Sequence, residues 1–240
     1  IVDLSLLRAG VLFDVPTADN QAFFVSGRMS LFQYYLENII DSDQFEFTTV
    51  PEFYDYQARY EYQPDALTSI QLQVVGARDK VGLDFADDSD AVQQDPALSG
   101  GLAAEQYFNS QGVVVDKVYG SGLSAKLGLS QLEESFEFQL GQGNFIDAKS
   151  NRYGLRTQFA YPVSYSHEFR WGLEFAEQRI NYRGAFTAPP CDEFSSDCRL
   201  ATATETLQGQ GALTMRETNI NLADRWDVTD RWQFTPGLLF

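Results

Sequence analysis

Four aspartates within one short stretch form a dense group of side chains that could bind a metal ion. The stretch DFADDSD contains Asp84, Asp87, Asp88 and Asp90. Calcium takes six to eight hard oxygen ligands, which carboxylates this close together could supply. The spacing is not that of an EF-hand, and glycine is missing where that loop turns. The alternative is a solvated acidic loop whose charges repel one another.

The only histidine gives little support to catalysis. His167 lies in SYSHEF, between two strand-like stretches, and no local spacing places it beside a nucleophile. We interpret it as a solvated turn residue. The glycine-containing stretch GQGN (141–144) has no following helix or lysine, so it does not support phosphate binding. We therefore expect no enzymatic activity and no cofactor.

Two cysteines lie seven positions apart, in APPCDEFSSDCRL. A small loop disulfide between Cys191 and Cys198 is our preferred interpretation, and it indicates an oxidising compartment. Two free thiols in a cytosolic protein are the alternative. A zinc site would need further ligands, which a single histidine cannot provide.

Composition narrows the class of protein. Thirty-four acidic residues against 17 basic ones give a net charge of -17, which argues against binding nucleic acid. The hydrophobic content of 44% is that of a folded protein. Apolar runs fall short of the roughly 18–20 residues of a membrane-spanning helix. The richest window, LFQYYLENII (31–40), is ambiguous between helix and strand.

Strict two-residue alternation is the main structural signal. In FYDYQARYEY (53–62), aromatic or small residues alternate with polar ones, which is typical of a strand with two unlike faces. Similar segments recur along the chain and predict ten strands in five hairpins, with short turns at one end and long polar loops at the other. The segments run about 10–17 residues, longer than ordinary globular strands and typical of transmembrane barrels.

We therefore predict an all-β fold, a transmembrane antiparallel up-and-down β-barrel that occupies residues 1–240 as one domain. Aromatic residues concentrate near the strand ends that flank the short turns, where an interfacial aromatic girdle lies in a barrel. Our candidates for the lipid-facing girdle are Tyr54, Tyr56, Tyr60, Tyr62, Tyr161, Phe169, Trp171, Trp232 and Phe234. Our candidates for positions that face the lumen or a plug are Asp55, Gln57, Arg59, Glu61, Gln71, Gln73, Arg152, Arg156 and Gln158.

Two short phrases resemble parts of TonB-dependent outer-membrane receptors. IVDLSL (1–6) resembles the segment where the plug of such a receptor leads into its first barrel strand. VTDRWQFTPGLLF (228–240) resembles the turn and strand in which TPG is followed by an apolar residue and commonly an arginine. Leu238 or Leu239 stands here where that arginine is expected. PEFYDYQARYEYQPD and the VVGARDKVGL strand after it also resemble barrel segments of these receptors.

The resemblance implies uptake of a scarce, bulky nutrient across a Gram-negative outer membrane. It implies that a plug and a TonB-contacting segment precede residue 1, and that further strands follow residue 240 to complete a 22-stranded barrel. The implied partners are outer-membrane lipid, the plug, the TonB energy-transducing system, and a small-molecule, peptide or glycan ligand. Two alternatives stay open, namely a complete ten-stranded pore or structural barrel, which the terminal Phe240 would fit and Pro236 would not, and a secreted β-rich binding module.

Overall fold

The computed structural model describes residues 1–34, 45–188 and 205–240. They form one sheet of twelve antiparallel strands, in which each strand pairs with its neighbour in sequence. No helix among these residues is long and apolar enough to cross a membrane. The strands are β1 (Val2–Leu4), β2 (Arg8–Ala18), β3 (Gln21–Ser30), β4 (Phe45–Asp65), β5 (Thr68–Phe85), β6 (Leu102–Val118), β7 (Ser124–Leu140), β8 (Asn144–Pro162), β9 (His167–Ala188), β10 (Glu205–Thr229), β11 (Trp232–Phe234) and β12 (Gly237–Leu239).

The up-and-down order predicted from the sequence is confirmed, but the strand count differs at both ends. The segment 1–15 contains two strands, because the Ser5 hydroxyl accepts the backbone N–H of Arg8 at 3.1 Å and closes a turn between β1 and β2. The last segment is interrupted at Thr235 and Pro236. Proline has no N–H to donate, so the pairing with β10 stops at β11 and resumes at β12.

The connections do not alternate between short and long as regularly as predicted. β7 and β8 are joined only by Gly141–Gly143, although this connection lies at the end of the sheet that was expected to carry long loops. Gly141 and Gly143 have φ values of 57° and 87°, a backbone conformation that favours glycine. The first residues of β8 are mostly polar, yet they continue the ladder with β7.

The remaining regular structure is small. A one-turn helix, α1 (Asp90–Gln94), and a 3₁₀ turn (Pro96–Leu98) lie between β5 and β6, and a second 3₁₀ turn (Phe32–Tyr34) follows β3. Among the described residues only Val92 and Ala185 are buried hydrophobic side chains. The sheet is open, since β1 does not pair with β11 or β12. Cys191 and Cys198 lie outside the described residues, as does most of the ambiguous window 31–40.

The β4–β5 turn is closed by an aspartate. The Asp65 carboxylate accepts the N–H of Leu67 at 2.8 Å and the hydroxyl of Thr68 at 3.0 Å. These hydrogen bonds, first that of the Leu67 N–H, lower the pKa of Asp65 below its ordinary value.

We therefore expect Asp65 to make the protein more stable above its unfolded-state pKa of about 4. Because its folded-state pKa is depressed, that contribution is lost as the pH falls through the folded-state value. Unfolding midpoints measured between pH 7 and pH 3 for the wild type and for Asp65→Asn test this. The variant keeps a neutral acceptor, so its midpoint should depend less on pH; parallel curves would contradict the prediction.

Candidate functional site

The strand register sorts the candidate residues into two groups. Tyr54, Tyr56, Tyr60 and Tyr62 point to one side of β4, and Asp55, Gln57, Arg59 and Glu61 point to the other. Following the paired positions across the sheet places Tyr161, Phe169, Trp171, Trp232 and Phe234 with the first group. It places Gln71, Gln73, Arg152, Arg156 and Gln158 with the second. We name these two sides of the sheet the tyrosine face and the arginine face.

Both faces of the open sheet are accessible to solvent. Tyr54 is 40% exposed, and Gln57 and Arg59 on the opposite side are also exposed. Tyr56 crosses over Gly76 of β5, and its hydroxyl donates to Asn109 Oδ1 of β6 at 3.0 Å. Exposure therefore does not distinguish the two faces, and their difference must be sought in how polar and apolar residues are distributed along the strands.

Next to the short turns, aromatic rings gather on the tyrosine face. Trp171 stacks on Phe159 and Phe169, with ring centroids 5.2 and 5.5 Å apart. Trp226 stacks on His167 at 5.6 Å and lies 6.4 Å from Phe234. His167 is the first residue of β9, and its Nδ1 lies 2.7 Å from Asp224 Oδ2. His167 is therefore a strand residue rather than the turn residue that was predicted, and its side chain is 39% exposed to solvent while its ring stacks on Trp226.

In the same half of the strands, the arginine face carries ion pairs. Arg156 Nε lies 2.8 Å from Glu174 Oε1, and Arg152 Nη2 reaches across β9 to Glu217 Oε2 at 3.2 Å. Other pairs of this half are Arg59–Glu61, Lys126–Asp116 and Arg170–Glu168, and the pair Arg28–Asp55 lies farther from the short turns, in the row of Glu134. Cavities of about 730, 350 and 280 Å³ are lined largely by side chains of this face.

The pattern reverses halfway along the strands, which the sequence interpretation did not detect. In β7, Ala125, Leu127 and Leu129 lie on the tyrosine face, but Glu133, Ser135 and Glu137 follow them on that same face. The arginine face changes the opposite way, from Lys126, Gly128 and Ser130 to Leu132, Phe136 and Phe138. We name the half of each strand next to the short turns the turn half, and the other the loop half.

The reversal occurs at one height across β6–β10. On the tyrosine face, the first polar row is formed by directly paired residues on the five successive strands β6–β10, and four of the five residues in the row before it are apolar. The polar row is Gln111, Gln131, Tyr153, Glu177 and Arg216, and the row before it is Val113, Leu129, Leu155, Phe175 and Thr218. If polar and apolar residues exchanged faces on one strand alone, the effect would be local. Because the exchange is aligned on neighbouring strands, the apolar residues on the turn side of it form a belt across them.

Beyond this row, each face has the opposite character. The tyrosine face carries the ion pairs Arg78–Glu105 at 2.7 Å and Arg183–Asp147 at 2.8 Å, and Arg179 and Arg216 both contact Glu177. The arginine face becomes ring-rich and aliphatic. Its members there include Phe53, Val81, Phe108, Phe136, Phe138, Ile146, Ile180, Tyr182 and Leu213.

The four aspartates proposed for calcium are not brought together. Asp84 belongs to β5, whereas Asp90 begins α1, and Asp87 Oδ1 accepts the hydroxyl of Ser99 at 3.5 Å. Within the part of the chain that the structure describes, no three carboxylate, histidine or cysteine side chains lie close enough to hold a metal ion. The geometry does not favour a calcium site.

Comparison with solved structures defines the class of fold. The chain is similar to the ferripyoverdine receptor of the outer membrane of Pseudomonas aeruginosa, with a TM-score of 0.65, 12% identity, and coverage of 96% of this chain and 34% of that one. It is similar to the outer membrane transporter YddB of Escherichia coli, with a TM-score of 0.64, 12% identity, and coverage of 97% and 33%. The ferric-catecholate import receptor Fiu of Escherichia coli matches with a TM-score of 0.60, 8% identity, and coverage of 97% and 46%.

The fold is therefore that of the barrel wall of TonB-dependent outer-membrane receptors, as the sequence resemblance implied. No family model matches the sequence, and no curated protein matches it. The chain spans between 33% and 46% of the length of these three solved chains. The three are receptors and transporters rather than enzymes.

Proposed function

We propose that this chain is part of the wall of an outer-membrane receptor that imports a scarce, bulky nutrient with energy supplied through TonB. The observation that carries the proposal is the aligned apolar belt on the tyrosine face. The nine residues from His167 to Phe175 span about 30 Å along β9 at the usual rise per residue. At the usual barrel tilt of about 40°, that length corresponds to a height of about 23 Å, close to the apolar band of a transmembrane barrel.

The assignment of the two faces follows from this belt. The tyrosine face contacts lipid in the turn half, where most of its residues are apolar and the charged Lys117 and Asp224 lie towards the short turns. It contacts water in the loop half, where it carries ion pairs. The arginine face lines the interior. Its paired charges in the turn half are tolerated there, because water or a polar plug can solvate them, whereas charges facing lipid are costly.

The interior groups suit the contact surface of a plug domain. Arg156 with Glu174, and Arg152 with Glu217, are ion pairs with room beside them, since a cavity of about 280 Å³ is lined by these residues over Gly128 and Gly154. In this proposal the 240 residues are one portion of a larger barrel of about 22 strands. A plug displaced by the inner-membrane energy transducer would open the path past this wall.

The proposal is tested in Gram-negative cells that express the full-length protein. We expect it to sediment with the outer membrane and to need detergent for extraction. Uptake of radiolabelled ferric, cobalamin, glycan and peptide probes is then compared between matched strains with and without TonB. Accumulation of one probe that disappears without TonB supports the proposal. Recovery as a soluble protein, or transport that is equal in both strains, would overturn it.

A further inference from the structure

On the arginine face, Arg152 is the one positive charge in the loop half of β5–β10 among the described residues, and it is paired with Glu217. The carboxylates of this surface include Asp79 and Glu134, and neither of these two has an ion-pair or hydrogen-bond partner among those residues. On neighbouring strands, Arg8 and Arg28 share this face, but they are already paired with Asp3 at 2.8 Å and Asp55 at 3.0 Å. The loop half of the arginine face is therefore largely apolar, and its unpaired carboxylates give it a negative electrostatic potential.

One cavity on this surface combines rings with a free carboxylate. It has a volume of about 330 Å³, and the paired row Phe53, Asp79, Gln106 and Phe136 crosses it. Phe32, in the 3₁₀ turn after β3, lines the same cavity. Lys80 follows Asp79 directly, so strand alternation turns its side chain to the opposite face, where it is paired in register with Glu105.

We infer that this cavity binds an organic ammonium group attached to an apolar or ring-bearing body. A carboxylate forms charge-assisted hydrogen bonds with an ammonium group, and phenyl faces attract a cation while they cover its apolar carbon atoms. Glu52 and Glu105 line the cavity with Asp79 and outnumber its one cation, Lys80, so the net negative charge repels anionic ligands at the same place. This inference rests on the proposed function for the origin of the ligand, and it defines the ligand class as cationic and amphiphilic.

Binding is measured by calorimetry on the full-length protein in non-ionic detergent, with three probes of similar size. They are 2-phenylethylammonium, 2-phenylethanol and phenylacetate. We expect the ammonium probe to bind at least tenfold more tightly than the alcohol, and the carboxylate probe not to bind measurably. Equal affinity for the ammonium probe and the alcohol would overturn the inference.

Asp79→Asn identifies the carboxylate responsible. We expect this variant to bind the ammonium probe about tenfold more weakly, at the level of the alcohol. Glu133→Gln is the matched control, because it removes one carboxylate from the tyrosine face and should leave binding unchanged. Phe136→Leu should weaken binding of the ammonium probe more than that of the alcohol, because leucine keeps the apolar cover but has no ring face to attract a cation. An unchanged affinity in Asp79→Asn, with a wild-type circular dichroism spectrum, would overturn the assignment.

The binding measurement does not require transport. If the ammonium probe binds as expected but uptake does not depend on TonB, the proposed function fails and the cavity assignment stands. If TonB-dependent uptake is observed and the probe does not bind, the cavity assignment alone fails.

Discussion

Replacing Leu127 by arginine is expected to destabilise the folded protein in a lipid bilayer by about 2–4 kcal/mol, the cost of a cation at the middle of a barrel's lipid face. Leu127 is 42% exposed and lies on the tyrosine face of β7, opposite Val115 and Thr157. Most residues of the rows on either side of it are apolar; the polar members are Thr68 and Lys117 on the turn side and Thr218 on the loop side. An arginine at this point could not reach water without distorting the bilayer, so its charge would be poorly solvated.

Gln139→Arg is the matched control for that experiment. Gln139 lies on the same strand and the same face, but in the loop half, beyond the row where the pattern reverses. A cation there should meet water and change stability by about 0–1 kcal/mol. The free energy of unfolding is measured in urea for both variants of the full-length protein, refolded into phosphatidylcholine vesicles. Equal effects of the two substitutions would contradict the assignment of the apolar belt to lipid.

Replacing Gly101 by alanine is expected to cost about 2–5 kcal/mol of folding stability. Gly101 has a φ of 69°, and a Cβ atom built on it would lie 1.9 Å from the carbonyl oxygen of Leu83. The backbone conformation alone costs a residue with a side chain about 1–2 kcal/mol. The overlap is with main-chain atoms, which cannot rotate away, so the end of β5 or the start of β6 must move, at a further cost of about 1–3 kcal/mol.

Gly143→Ala separates these two contributions. Gly143 has a similar φ of 87°, but no heavy atom outside its immediate neighbours lies within 4 Å of an added Cβ. We expect this control to lose only about 1 kcal/mol, the backbone contribution. Urea unfolding in vesicles measures both variants, and equal losses would show that the contact with Leu83 is unimportant.

Gly101 also links the β5–β6 connection to the β7–β8 turn. Its N–H donates to Leu98 O at 2.9 Å, and its carbonyl oxygen accepts the N–H of Gly141 at 2.7 Å. The segment that carries α1 is therefore anchored to the β7–β8 turn. A shift of Gly101 should displace both connections together. We expect a protease added to intact cells to cleave the protein within residues 86–101 at a measurably different rate.

Much of the fold was predictable from the sequence because alternation is local. Tyr54 and Asp55 must point in opposite directions on any strand, whatever lies beside it. The grouping of Phe169 and Trp171 apart from Arg170 follows in the same way. The length of the alternating segments, together with the aromatic residues at their ends, was enough to indicate a barrel wall rather than a sandwich.

The positions of the strand ends were less predictable. Asn144–Asn151 is mostly polar, and a polar stretch is usually interpreted as a loop. It is strand because the tight turn Gly141–Gly143 presents it to β7, whose polar residues it faces across the ladder. The same difficulty applied to His167, since nothing near it in sequence indicates Trp226 or Asp224, which contact it from β10.

The sequence by itself determined the two unlike faces, the antiparallel order and the acidic character of this protein, because each depends on composition or on neighbouring residues. The tertiary structure alone decided the register, and with it the continuous apolar belt, the Arg152–Glu217 pair across β9 and the cavity beside Asp79. These features join residues that are distant in sequence. Only hydrogen bonding between strands determines which residue stands opposite which, and a slip of one position would exchange the two faces.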